Sequence, residues 1–245
     1  TTDNHGNWFI TDILPTNLPS VFRVDVLPGG FDISTEKEIK TTYSTIITKQ
    51  QAINGLNSVR FSVNPVTTIR KVIIEKTIED EGNLSNSIAN IDTISSTATN
   101  IVATAFNINE NDINKDYIDE QNESLMKASI KISLITEVVQ TTVQSEQSNS
   151  NVTGTSVLLS IANAVNDASA NNTTFDFADN TSMNSVLDNL ETTASISISN
   201  TVKTNTKKVS TKSQNTINNA SSVSFEETMI DIKKESVATV NYLIN

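Results

Sequence analysis

The chain changes its hydrophobic period within one segment, Ser58-Val59-Arg60-Phe61-Ser62-Val63-Asn64-Pro65-Val66-Thr67-Thr68-Ile69. Apolar and polar residues alternate over 59–63, which is typical of a half-buried strand. Pro65 cannot donate a backbone hydrogen bond to a strand ladder, and it disfavours helix at the residue before it. We therefore expect the strand to end before Pro65 and a helix to follow, with Thr67 or Thr68 as its N-cap.

The sequence before this segment favours strands, because it is rich in β-branched and aromatic residues between turn signals. The expected strands are Trp8–Ile13, Val21–Val26, Ile39–Thr48 and Val59–Val63. In the second of these, Phe22, Val24 and Val26 are expected to face the core. Pro28-Gly29-Gly30 and Asn54-Gly55 are the expected turns.

The sequence after this segment favours helices, because apolar residues recur at spacings of three and four. Expected helices run from Ile69 to Gly82, Leu84 to Ala105, Ile118 to Thr142, Val157 to Ala168, Met183 to Ala194 or on to Val202, and Phe225 to Ile244. The third helix carries a second apolar stripe at Met126, Ile130 and Leu134. We therefore expect it to lie centrally, with neighbours on two sides.

Two segments leave alternatives open. The residues from Ala194 to Ser199 alternate in polarity, so a strand competes there with a continued helix. The run from Lys203 to Ser222 has few apolar residues and predicts either a long solvated helix or a mobile loop. The polar segments Asn107–Asp116 and Asn171–Asp179 are expected to be connectors.

Composition limits the classes of function. The chain has 245 residues, a formal net charge of -11 and no Cys. The acidic balance disfavours nucleic acid and anionic membranes as partners, and the absence of Cys excludes disulfides and thiolate metal sites. No apolar run approaches the ~20 residues of a membrane span. Because the first residue is Thr1 and not Met, we expect a processed or excised piece.

Hydrophobic residues make up 36% of the chain, which suits an elongated bundle with narrow apolar stripes. The largest basic cluster lies in a run without aromatic side chains for base stacking, so a solvated helix face is the preferred interpretation. Its members are Lys203, Lys207, Lys208 and Lys212.

No pattern of residues predicts a catalytic, metal or cofactor site. His5 is the single histidine, and it precedes Gly6 in a turn with no nucleophile signature nearby. Asn107–Asp116 holds oxygen ligands that calcium would accept, but it lacks the ligand order of an EF-hand loop. Asp112 or Asn114 is instead expected to cap the third helix.

A second acidic group, Asp3, Asp12, Asp25 and Asp32, lies near expected strand ends. Turns commonly carry Asp for backbone reasons. Aromatic residues are 5% of the chain, so a substrate cleft for glycoside hydrolysis is disfavoured.

Three motifs resemble those of carboxypeptidase-regulatory-like repeats, which have a transthyretin-like β-sandwich, and of the helical region that follows them in large secreted surface proteins. They are Thr2-Asp3-x-x-Gly6-x-Trp8-x-Ile10, Gly29-Gly30-Phe31-Asp32-Ile33-Ser34-Thr35 and Asn64-Pro65-Val66-Thr67-Thr68-Ile69. The resemblance covers about the first third of the chain and implies a β-sandwich there. A sandwich of this type needs about seven strands, and the sequence supplies four or five.

These observations predict an α+β protein, with an N-terminal antiparallel β-sandwich piece at residues 1–64 and an α-helical bundle at 65–245. The expected function is that of a non-enzymatic structural or adhesive module of an extracellular or cell-surface protein, or a subunit of an extracellular filament. Self-association by strand addition is the expected contact. The alternative is a soluble module that binds a sugar or small ligand between sheet and bundle.

Overall fold

The computed structural model describes residues 17–32, 37–54, 61–147, 151–220, 224–232 and 234. Its strands are β1 (Val21–Val26), β2 (Phe31–Asp32), β3 (Lys37–Glu38) and β4 (Tyr43–Thr48). Its helices are α1 (Lys49–Asn54), α2 (Pro65–Glu81), α3 (Leu84–Ala89), α4 (Ile91–Phe106), α5 (Glu123–Glu146), α6 (Gly154–Ala170), α7 (Asn180–Ala194) and α8 (Asn200–Asn219). Residues 225–232 are also helical.

The expected β-sandwich is wrong, and with it the resemblance to carboxypeptidase-regulatory-like repeats. The described residues are mostly helical, and their strands form only two antiparallel pairs, β1 with β4 and β2 with β3. Val21–Val26 is a strand as predicted, but only the second half of 39–48 is one. Residues 61–63 have no regular structure. The expected strands at 8–13 and 59–60 lie outside the described residues.

Helix α2 begins one turn earlier than predicted. Asn64 is its N-cap, and the Asn64 side chain accepts a 2.9 Å bond from the Thr67 amide while the Thr67 hydroxyl accepts a 3.0 Å bond from the Asn64 amide. This is a reciprocal capping box, with Pro65 at the first helical position, where a missing N–H costs nothing. The predicted end is confirmed: Gly82 has a φ of 63°, the left-handed conformation of a helix C-cap.

Helix α5 lies between two hydrophobic clusters, as its two apolar stripes predicted. Leu125, Ile132 and Ile135 belong to the main core, which α2, α4, α6 and α7 share. Ile130 and Leu134 belong to a second core, which α8 and the helical residues after it complete. The start of the helix was predicted wrongly, because Asn122 and not Asp112 or Asn114 caps it.

Several other helix boundaries differ from those expected. The expected second helix is divided at Asn90 into α3 and α4. The strand alternative for 194–199 is wrong, because α7 ends at Ala194, Ser195 adopts a left-handed conformation with a φ of 52°, and α8 begins at Asn200. The polar run after Lys203 is helical up to Asn219.

The strands pack directly on the bundle. Ile46 of β4 belongs to the main core, and Val21 of β1 packs against it. Gly154, the first residue of α6, packs closely against Thr41. A Cβ at position 154 would overlap the Thr41 hydroxyl.

Among the described helices, none has both the length and the apolar character needed to cross a bilayer.

We predict that truncating Ile132 or Ile135 to Ala lowers the free energy of unfolding by about 2–5 kcal/mol, because each side chain is fully buried and its loss leaves a cavity. Chemical denaturation followed by circular dichroism measures this change. Ile118→Ala is the matched control, since Ile118 is 42% exposed and precedes α5. Equal effects at the three positions would contradict the central placement of α5.

Candidate functional site

The pairing of β1 with β4 determines which backbone groups face outward. The register sets Val21 opposite Thr48 and Asp25 opposite Ser44. The amide of Lys49 donates 2.8 Å to the carbonyl of Ser20, so this pair is hydrogen-bonded. Hydrogen-bonded and non-bonded pairs alternate in an antiparallel ladder. The backbone groups of residues 44, 46 and 48 in β4, and of residues 21, 23 and 25 in β1, therefore point away from the partner strand.

Side chains of α2 close the outer edge of β4. The amide of Ser44 donates 2.8 Å to the Thr68 hydroxyl. The carbonyl of Ser44 accepts a 3.0 Å bond from the Thr67 hydroxyl. The carbonyl of Ile46 accepts a 2.7 Å bond from the Arg70 guanidinium. These bonds take the place of a neighbouring strand, so the sheet cannot extend on this side.

Arg70 is a buried cation that donates a hydrogen bond to the outer edge of β4. Only 1% of the residue is exposed, and one of its terminal nitrogens serves both Ile46 and the Thr45 hydroxyl. Its other two nitrogens have no hydrogen-bond partner among the described residues. Burial lowers the pKa of Arg70 to about 10, so the side chain is still charged near neutral pH.

The outer edge of β1 has no partner within the described part of the chain. Among the described residues, no backbone or side-chain group bonds to the outward-facing amides and carbonyls of Val21, Arg23 and Asp25. The side chains beside this edge pair with each other: Arg23 contacts the Asp25 carboxylate at 3.0 Å and the Glu75 carboxylate at 3.5 Å. The main-chain groups are thus available to an added strand.

The residues that the sequence suggests for an acidic or catalytic site do not come together in the described part of the chain. His5, Asp3 and Asp12 lie outside the described residues. Asp25 accepts a 2.6 Å bond from the Ser44 hydroxyl across the β1–β4 pair. Asp32 belongs to β2, in the other strand pair.

The connector at 107–116 is held by its own contacts. Asp112 binds the Lys115 ammonium at 2.9 Å and accepts a 2.8 Å bond from the side-chain amide of Asn122. The hydrogen bond from Lys115 lowers the pKa of Asp112. Within the described ranges, no group of three or more His, Asp or Glu side chains is placed to hold a metal ion.

The basic cluster is part of α8, and two of its four lysines bind α7. Lys203 lies 2.8 Å from the carboxylates of both Asp188 and Glu191, and these bonds raise the pKa of Lys203. Lys207 donates 3.0 Å to the Asn184 side chain. Lys208 and Lys212 are exposed on the same helix.

The sequence interpretation missed the role of Thr67, Thr68 and Arg70 as partners of the β4 edge. One signal was present, because Arg70 directly follows Ile69 of the expected apolar face and must either reach solvent or find acceptors. The Asn64-Pro65-Val66-Thr67 pattern also marks a helix N-terminus.

No family model, curated protein or solved structure matches this chain.

We predict that Thr68→Val lowers the free energy of unfolding by about 1–3 kcal/mol, because the isosteric change leaves the buried Ser44 amide without an acceptor. Urea denaturation measures the difference. Thr136→Val is the matched control: Thr136 is also buried, but its hydroxyl bonds only to the Ile132 carbonyl in its own helix. Because that carbonyl is already an acceptor in the helix ladder, the control should change stability little.

Proposed function

We propose that the chain is a non-enzymatic structural or adhesive module of an extracellular surface protein, or a subunit of an extracellular filament, that joins its neighbour by strand addition to β1. One observation supports the proposal above others. The two outer edges of the β1–β4 pair differ: α2 closes one with buried side chains, whereas no described residue bonds to the main-chain groups of the other. In a module that needed no partner, closing both strand edges would prevent unwanted pairing with other chains.

The proposed occupant is an extended segment of a second copy of this chain, donated by Trp8–Ile13. This segment is rich in the aromatic and β-branched residues that favour strands. A second alternating segment, 194–202, is not the proposed donor, because Ala194 ends α7, residues 200–202 begin α8 and the residues between them form no strand. One copy would donate and the next accept, so the contact is head-to-tail and propagates unless the rotation closes a ring.

We predict that Arg23→Pro reduces assembly, because proline removes the outward-facing amide of residue 23 and leaves the β1–β4 ladder intact. Light scattering after size exclusion, over a range of concentrations, measures the mass of the species, and electron microscopy shows their form. Arg23→Gln is the matched control, since it removes the same charge and keeps the amide. Loss of assembly in both variants would assign the contact to the Arg23 side chain instead.

A peptide with the sequence of residues 8–13 provides a second test that needs no variant. Added in excess to the wild-type chain, it should occupy β1 and lower the mean mass, whereas a scrambled peptide should not. Because main-chain bonds carry the contact, assembly should persist at ~1 M salt, where charge interactions are screened within about 3 Å. A wild-type chain that stays monomeric at every concentration would overturn the proposal.

A further inference from the structure

A cleft of about 730 Å³ opens between α4, α5, α6, α8 and the loop at 171–179. It shares no residue with the β1 edge, so a ligand in this cleft would be independent of strand addition. The volume lies within the range of about 300–1,000 Å³ that is usual for small-ligand sites. The cleft lies among helices, not between sheet and bundle, where the sequence-based alternative placed a ligand.

Packing of aromatic rings builds one wall of the cleft. Phe106, Phe175 and Phe177 form a cluster with ring centroids 5.0–6.0 Å apart. Two hydroxyls of α8 hold the loop in place: Ser210 donates 2.7 Å to the Phe177 carbonyl, and Thr211 donates 3.0 Å to the next carbonyl along the chain. The wall is therefore preformed and not assembled by a ligand.

Gln214 is the group in this cleft that lacks a partner. Only 1% of the residue is exposed, and neither its amide nitrogen nor its amide oxygen has a hydrogen-bond partner among the described residues. A buried amide left unpaired costs free energy, so such a group in a cleft points to a bound molecule. The amide offers two donor hydrogens and an acceptor oxygen at one place.

Three charged side chains line the cleft, Lys127, Lys131 and Asp176. The Lys127 ammonium lies 2.6 Å from the Glu123 carboxylate. Lys131 donates a hydrogen bond to the Asn218 side chain. Burial lowers the pKa of Lys131. The negative charge of the Asp176 carboxylate acts in the opposite direction and raises the pKa of Lys131.

We propose that this cleft binds a neutral carbohydrate, with the Gln214 amide as its central hydrogen-bonding group. Sugar hydroxyls both donate and accept, which matches an amide with both functions unpaired. Asn100, Asn172, Thr173 and Thr174 add further amides and hydroxyls to the rim. A neutral ligand also suits a chain whose net charge of -11 repels anions.

The test titrates the full chain with the methyl glycosides of glucose, galactose, mannose and N-acetylglucosamine, and with galacturonate as the charged counterpart of galactose. Amide chemical shifts in NMR report both affinity and location. We expect at least one neutral glycoside to bind with a Kd of about 1 mM or lower. The shifts should lie around the cleft, and galacturonate should bind more weakly than the galactoside.

Gln214→Leu should weaken glycoside binding about tenfold, because it removes the amide at nearly constant volume. Gln140→Leu makes the same chemical change on α5 away from the cleft and should leave binding unchanged. Should Gln214→Leu fail to fold, Lys131→Met tests the same cleft from α5 and should also weaken binding. Equal affinity in the wild type and a folded cleft variant would overturn the proposal.

Two further results would overturn it. If galacturonate binds more tightly than the galactoside, the cleft selects a negative charge and not a neutral sugar. If no glycoside shifts any amide at a concentration of about 10 mM, ordered water alone satisfies Gln214. Neither result affects the β1 edge, whose test measures mass and not ligand binding.

Discussion

The fold depends on how the outer edge of β4 is satisfied. A buried strand edge must find partners for its amides and carbonyls, because an unpaired buried backbone group costs about as much as a lost hydrogen bond. Here two threonines and an arginine of α2 supply them. The helix can do so because Pro65 and the Asn64 capping box start it beside β4, which brings Thr67 and Thr68 to the carbonyl and amide of Ser44.

This arrangement explains how a short two-stranded pair is stable on this bundle. An isolated hairpin is marginal in water, and β4 gains stability because it is buried along nearly its whole length. Arg70 stabilises β4 through one nitrogen that bonds to it, but the buried guanidinium loses its hydration, which costs free energy. Its other two nitrogens have no partner among the described residues. The pair is therefore supported by the helix on one side, and on the other side it has no partner in the part of the chain that the structure describes.

The bundle is organised by α5, which separates the two cores. Its main-core face packs against apolar helices, whereas its other face meets α8, a helix rich in Thr, Ser, Asn and Lys. Three hydroxyls of this polar helix find acceptors: Ser210 and Thr211 bond to loop carbonyls, and Ser213 bonds back to its own helix. The same polar packing places Gln214 at the cleft.

The sequence by itself determined the features that are local and periodic. Alternation identified β1, a glycine identified the end of α2, and the two stripes of α5 identified its central place, since each pattern is carried by neighbouring residues. Only the tertiary structure decided what closes the β4 edge, because a strand period does not reveal whether a strand or a helix lies beside it. Burial of Arg70 and Gln214 was likewise a tertiary outcome, since a polar residue's environment is set by distant segments that meet it only when the chain folds.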